Sequence, residues 1–126
     1  MTADGGSDAR RTQLLRGVLD VCLLALIAER PRYGYEFVES LTERGLSLVS
    51  EGSIYPVLTR LAKSGLVETY HVPSAAGPAR KYYRITPTGA AALDEGRTAW
   101  TGFADAVHLV LNDTRPNPAA RRSHQE

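Results

Sequence analysis

The chain has 126 residues, 43% of them hydrophobic and 23% charged, with a formal net charge of +1. This composition fits one small soluble globular domain carrying an added helix. It excludes a membrane span, because no apolar run approaches the ~20 residues required.

The start, "MTADGGSDARR", lacks the apolar centre of a signal peptide. Cys22 is the one cysteine, so no internal disulfide framework is expected, which fits a reducing cytoplasm. Charge is unevenly placed. From Ser50 to Thr86 the basic residues Arg60, Lys63, Arg80, Lys81 and Arg84 outnumber Glu51 and Glu68. From Pro87 to Asp113 Arg97 stands against Asp94, Glu95, Asp105 and Asp113.

In chain order, residues 1–10 are rich in Gly, Asp and Ser and are expected to be disordered. Arg11 to Glu29 is expected to be one strong helix, with apolar residues on more than half its circumference and therefore buried on two faces. "RPRYG" ends it, because Pro31 cannot continue a helix. A short second helix is expected over Tyr35–Thr42, with Gly45 as its left-handed cap.

The third helix should open at Ser50 in "SEGSIYPVLTRL" and run to about Ser64. Ile54, Val57, Leu58, Leu61 and Ala62 give its inner face. Pro56 fits two starts. With Ser53 as cap it lies in the first turn, where its missing N–H matters little. With Ser50 as cap, the favoured reading, one bond to Gly52 is lost and the first turn is irregular.

Two strand-like runs follow, Leu66–Val72 and Arg80–Thr86, joined by the turn formers Pro73–Ala79. Tyr82 and Tyr83 should point to opposite faces, one of them into the core. Thr86 and Pro87 then start a last helix to Asn112, roughly 36 Å long. Leu93, Gly96, Trp100, Phe103, Val107 and Val110 recur along it as a heptad-like seam. Residues 113–126, with two prolines and no apolar pattern, are expected to be a flexible tail.

Three helices and a hairpin in this order make a winged helix-turn-helix, mainly α with a small β-hairpin. Residues 11–86 would form that domain, and residues 87–112 a C-terminal dimerisation helix. The third helix then carries small and polar groups, Ser50, Gly52 and Ser53, at an N-terminus whose amides favour an anion. Arg80 and Lys81 follow the hairpin turn, well placed for phosphate. Each residue alone also fits a plainer role. Ser50, Gly52 and Ser53 fit a helix cap, Tyr55 a buried edge, Tyr35 a packing residue of the second helix, and the wing cations ordinary solvated charges. Together, on this element order, they favour DNA binding.

Three blocks, "YGYE" (Tyr33–Glu36), "GSIYPVLTRLAKSGLV" (Gly52–Val67) and "GPARKYYRITPTG" (Gly77–Gly89), resemble the PadR family of transcriptional regulators. The single helix after the wing is similar to the short branch of that family. The resemblance implies that Tyr35, Ser53, Tyr55, Thr59, Arg60, Arg80 and Lys81 face DNA, with Ser50 and Lys63 beside them on the third helix. It implies a homodimer joined through Leu93, Trp100, Phe103, Val107, Val110 and Leu111. It also places Trp100 where the branch has a tryptophan that stacks on planar ligands.

Leu14, Gly17, Val18 and Val21, at i, i+3, i+4 and i+7, would wall a ligand pocket with Trp100, Phe103 and Ala104. The other reading of Trp100 is the largest residue of a dimer core. The implied partners are double-stranded DNA, a second copy and a small aromatic effector, with no cofactor.

Metal sensing lacks a ligand cluster, since Cys22 is alone and His71, His108 and His124 share no motif. An enzyme lacks a nucleophile elbow, a phosphate loop or a framed acid–base pair. The competing function is a winged helix used as a protein-interaction module without sequence-specific DNA binding.

Overall fold

A computed structural model describes residues 2–47 and 49–118. Its elements are α1 (Thr2–Arg16), α2 (Leu19–Glu29), β1 (Arg32–Tyr33), α3 (Gly34–Glu43), α4 (Glu51–Lys63), β2 (Val67–Ser74), β3 (Gly77–Ile85) and α5 (Pro87–Asp113).

The single first helix expected from the apolar pattern is two helices. Val18, at φ −134° and ψ 1°, leaves the helical region and becomes the N-cap position of α2. Its carbonyl restarts the ladder by accepting from Cys22 N at 3.0 Å. The break falls beside Gly17, which disfavours helix by about 1 kcal/mol relative to alanine. Residues 1–10, expected to be disordered, instead include the first turns of α1.

α2 is the centre of the core. Leu19, Leu23, Leu24, Leu26 and Ile27 are buried on it. They meet Phe37 and Leu41 from α3, Ile54, Leu58 and Leu61 from α4, and Tyr83 from β3. α3 opens where Tyr33 N donates to Glu36 Oε1 at 3.1 Å. Gly45 (φ 93°) and Gly65 (φ 74°) take the left-handed conformation after α3 and α4, a region that glycine enters without steric penalty.

The sheet order is β1-β3-β2, both pairings antiparallel. β1 is an addition to the expected hairpin. Arg32 lies opposite Tyr83 and Tyr33 opposite Tyr82. The expected seven-residue loop Pro73–Ala79 is mostly strand, because pairing continues to Ser74–Gly77. Pro73 sits at the register irregularity between Val72 and Ser74 on an edge strand, where a missing N–H is tolerated.

Arg32, from β1, is buried and donates to the Leu26 carbonyl at the end of α2. Its Nη2 also donates to Glu29 Oε1 at 3.1 Å. Glu29 accepts from Arg44 as well, at 3.0 Å on each oxygen, so one carboxylate ties the C-terminal ends of α2 and α3 together. Those two guanidinium groups, Arg44 first and then Arg32, hold the Glu29 carboxyl below its usual value.

α5 begins as expected. Thr86 Oγ1 accepts from Gly89 N at 3.0 Å. Gly89 and Gly96 let α5 approach closely. A side chain at Gly89 would overlap the Leu66 carbonyl, and a Cβ at Gly96 would lie 2.7 Å from Val21 Cγ2 of α2. The tail from Thr114 is non-helical as far as Asn117. Residues 119–126 of the expected flexible tail, with His124, lie outside the described residues.

Candidate nucleic-acid interface

Ser50 occupies the N-cap position of α4, the start favoured from sequence. Its hydroxyl makes no cap bond to the backbone and instead pairs with Ser53 Oγ at 3.2 Å. Ser53 N and Ile54 N both bond to the Ser50 carbonyl, at 3.0 and 3.2 Å, so the first turn mixes tight and regular spacing. Pro56 lies inside α4. Ile54, Leu58 and Leu61 are buried, which turns Gly52, Pro56, Thr59 and Lys63 outward.

All nine side chains expected to face DNA are exposed: Tyr35, Ser50, Ser53, Tyr55, Thr59, Arg60, Lys63, Arg80 and Lys81. Tyr35 is 54% exposed and Tyr55 44%, so neither is a buried packing residue. Tyr55 nonetheless has a fixed neighbour. Its ring lies against Gly34 at the start of α3, so close that a Cβ there would fall 2.8 Å from Tyr55 Cζ. That contact joins α3 to α4 and was not foreseen. The only signal for it in sequence is a glycine between two tyrosines.

On the wing, alternation separates the two leading cations. Arg80, Tyr82 and Arg84 share one face of β3, and Lys81, Tyr83 and Ile85 the other. Tyr83 is the core residue and Tyr82 the half-buried one. Across the outer face Tyr33, Tyr82 and Tyr70 form a row, with ring centroids 5.4 and 5.6 Å apart. Arg80 lies over the Tyr33 ring at 4.6 Å and Arg84 over Tyr70 at 4.9 Å.

Arg84 also pairs with Glu68 at 3.1 Å, so its charge is compensated within the hairpin. Lys81 Nζ stands 5.7 Å above the Tyr83 ring on the inner side. Burial, and then the Tyr55 hydroxyl, raise the pKa of Tyr83.

α5 does two things along its length. Leu93 is 6% exposed and belongs to the chain's own core, so the expectation that it lies on a dimer seam is corrected. It lies early on α5, where the helix still packs on α2. Farther along, Trp100 (48% exposed), Phe103 (65%), Val107, Val110 and Leu111 are uncovered.

A cavity of about 400 Å³ lies between α1, α2 and α5, lined by Arg11, Leu14, Leu15, Val18, Val21, Cys22, Leu46, Arg97 and Trp100. Of the residues expected at a ligand pocket it gathers Leu14, Val18, Val21 and Trp100, while Gly17, Phe103 and Ala104 do not line it. Arg11, Leu15, Cys22, Leu46 and Arg97 are additions. Burial raises the Cys22 thiol pKa, with Asp20 adding to the effect, which disfavours the thiolate on this apolar wall.

No helix among the described residues is long and apolar enough to cross a membrane.

The chain matches the family model described as "Transcriptional regulator PadR-like family" over residues 23–95, more than half its length. A relative from Mycobacterium tuberculosis, the transcriptional regulator Rv3488, is 37% identical over 93 residues, covering 73% of this chain and 84% of the relative. A crystal structure of a PadR-like transcriptional regulator from Bacillus cereus is 42% identical, with a TM-score of 0.70 over 79% of this chain and 96% of that one. A PadR family regulator from Eggerthella lenta is 30% identical, with a TM-score of 0.79 over 90% of this chain and 99% of that one. The winged helix-turn-helix built by α2 to β3 and these relatives lead to one conclusion: the chain belongs to the PadR family of transcriptional regulators.

Proposed function

We propose that this protein is a homodimeric, ligand-responsive repressor that binds double-stranded DNA at an inverted-repeat operator. The observation that carries the DNA half is the outward display of all nine residues assigned to DNA, Tyr35 on α3 and the others on α4, its N-cap and the wing. α4 enters the major groove, with Ser53, Tyr55, Thr59 and Arg60 nearest the bases. Arg80 and Lys81 meet the backbone from the wing, and such contacts give affinity rather than sequence choice.

The uncovered apolar residues of α5, from Trp100 to Leu111, support dimerisation. A second copy there holds two α4 helices about one turn of DNA apart, ~34–36 Å. Among the described residues α5 is the one helical element after the wing, as in the short branch of the family.

The effector enters the cavity that Trp100 lines. Its apolar walls and the flat indole suit a planar aromatic, which stacks with large burial of apolar area. Such a ligand shifts the two DNA-binding heads only if it binds their two arrangements with different affinity.

The test is a screen of planar and phenolic compounds by the fluorescence of Trp100, the one tryptophan, beside a gel shift on the protein's own promoter. Trp100→Ala is expected to abolish aromatic binding and leave specific DNA binding intact. Loss of DNA binding together with the dimer would assign Trp100 to the interface alone. DNA affinity that ignores salt would favour the protein-interaction module instead, because phosphate contacts make binding fall steeply with salt.

A further inference from the structure

A second cavity, about 350 Å³, opens between α1 and α4. α1 and the start of α2 give it Thr12, Leu15, Arg16 and Leu19, at i, i+3, i+4 and i+7. Val49 and the α4 residues Ser53, Val57 and Arg60, at i, i+4 and i+7, form the opposite wall. Leu15, Leu19, Val49 and Val57 make the interior apolar, and two hydroxyls and two guanidinium groups border it. Among the described residues neither Arg16 nor Arg60 has a carboxylate partner, whereas Arg30, Arg32, Arg44 and Arg84 each do. The volume lies within the usual range for small-ligand sites.

The geometry points to a binding site here for a small amphipathic carboxylate: an apolar chain between the helices and an anionic head on Arg16 and Arg60. Guanidinium groups suit a carboxylate because their N–H fork matches its two oxygens. Ser53 and Arg60 belong to the proposed DNA-facing set, so the site has a built-in consequence that rests on that reading. An occupant that engages them removes them from DNA. Occupancy and operator binding then compete directly on α4, with no change in the relative angle of two subunits. This route is separate from the Trp100 cavity, with which it shares only Leu15.

The probe is sodium octanoate, with octanol as its uncharged counterpart and inorganic phosphate as a head without a tail. Amide chemical shifts of the ¹⁵N-labelled protein locate binding without any DNA present. Octanoate is expected to move Thr12, Arg16, Ser53 and Val57. Octanol and phosphate are each expected to bind at least about tenfold more weakly, as is octanoate to Arg16→Ala, since each loses a charge-assisted contact or the apolar burial.

In gel shifts octanoate is expected to weaken operator binding of the wild type but not of Arg16→Ala. Shifts confined to the Trp100 cavity, or octanol binding as well as octanoate, would overturn the site. Phosphate binding as tightly as octanoate would make the groove a backbone-phosphate contact instead. Operator binding without octanoate tests the DNA reading separately, so the two failures are distinguishable.

Discussion

Gly34 and Gly89 are both places where a hydrogen is all the packing allows, but they differ in what stands opposite. At Gly34 the obstruction is the far end of the Tyr55 side chain, which can swing away. At Gly89 it is the Leu66 carbonyl, part of the backbone. Gly34→Ala is therefore expected to destabilise by about 1 kcal/mol, and by less in a Tyr55→Ala background. Gly89→Ala should approach ~3 kcal/mol, the upper end for overpacking. Urea unfolding midpoints of the wild type, the three single variants and the Gly34→Ala/Tyr55→Ala double variant test this, and equal losses at the two glycines would refute it.

Glu29 makes a second residue-scale prediction, in pH. Its folded-state pKa is depressed by Arg44 and Arg32. A depressed carboxylate contributes stability that is present above the unfolded value, about 4.3. That contribution is lost as pH falls through the lower folded value. Glu29→Gln should consequently lose stability relative to wild type at pH 7, with the gap closing in acid below pH ~4. A gap that stays constant with pH would mean that packing, rather than charge, is what Glu29 supplies.

At the scale of elements, the wing reads as more than a loop with two cations. Arg80 is held against Tyr33 of β1, while Lys81, on the other face, has no carboxylate partner among the described residues. Lys81→Ala is expected to weaken binding to all DNA sequences alike and to flatten the salt slope by about one. Titrations at several salt concentrations measure this, and an unchanged slope removes Lys81 from the contact set.

α4 and α5 were largely legible beforehand because their signals are local. Thr86 caps and Pro87 starts one helix, and Ser50 marks the start of the other. β1 was not legible. Two residues carry no periodicity, and Arg32–Tyr33 is strand only because β3 lies beside it.

At the scale of the whole molecule, the first half of α5 is committed to its own core and the second half is not. Phe103→Glu puts a charge among the uncovered residues while leaving the Leu93 end untouched. The variant is expected to remain folded, to sediment as a monomer and to lose operator affinity at least tenfold, because one α4 cannot span two half-sites. Retention of the dimer would mean that copies associate elsewhere.

The sequence by itself determined the second and third helices of the DNA-binding domain, the hairpin and the capped start of the last helix, because each depends on neighbours within a turn or two of chain, and with them the family. Only the tertiary structure decided where the first helix breaks, since the apolar pattern runs on through Gly17 and Val18 while the backbone turns. The tertiary structure alone also placed Leu93 inside and Phe103 outside on one continuous stripe. That division depends on how far α2 extends alongside α5, and no spacing within α5 encodes the length of its neighbour.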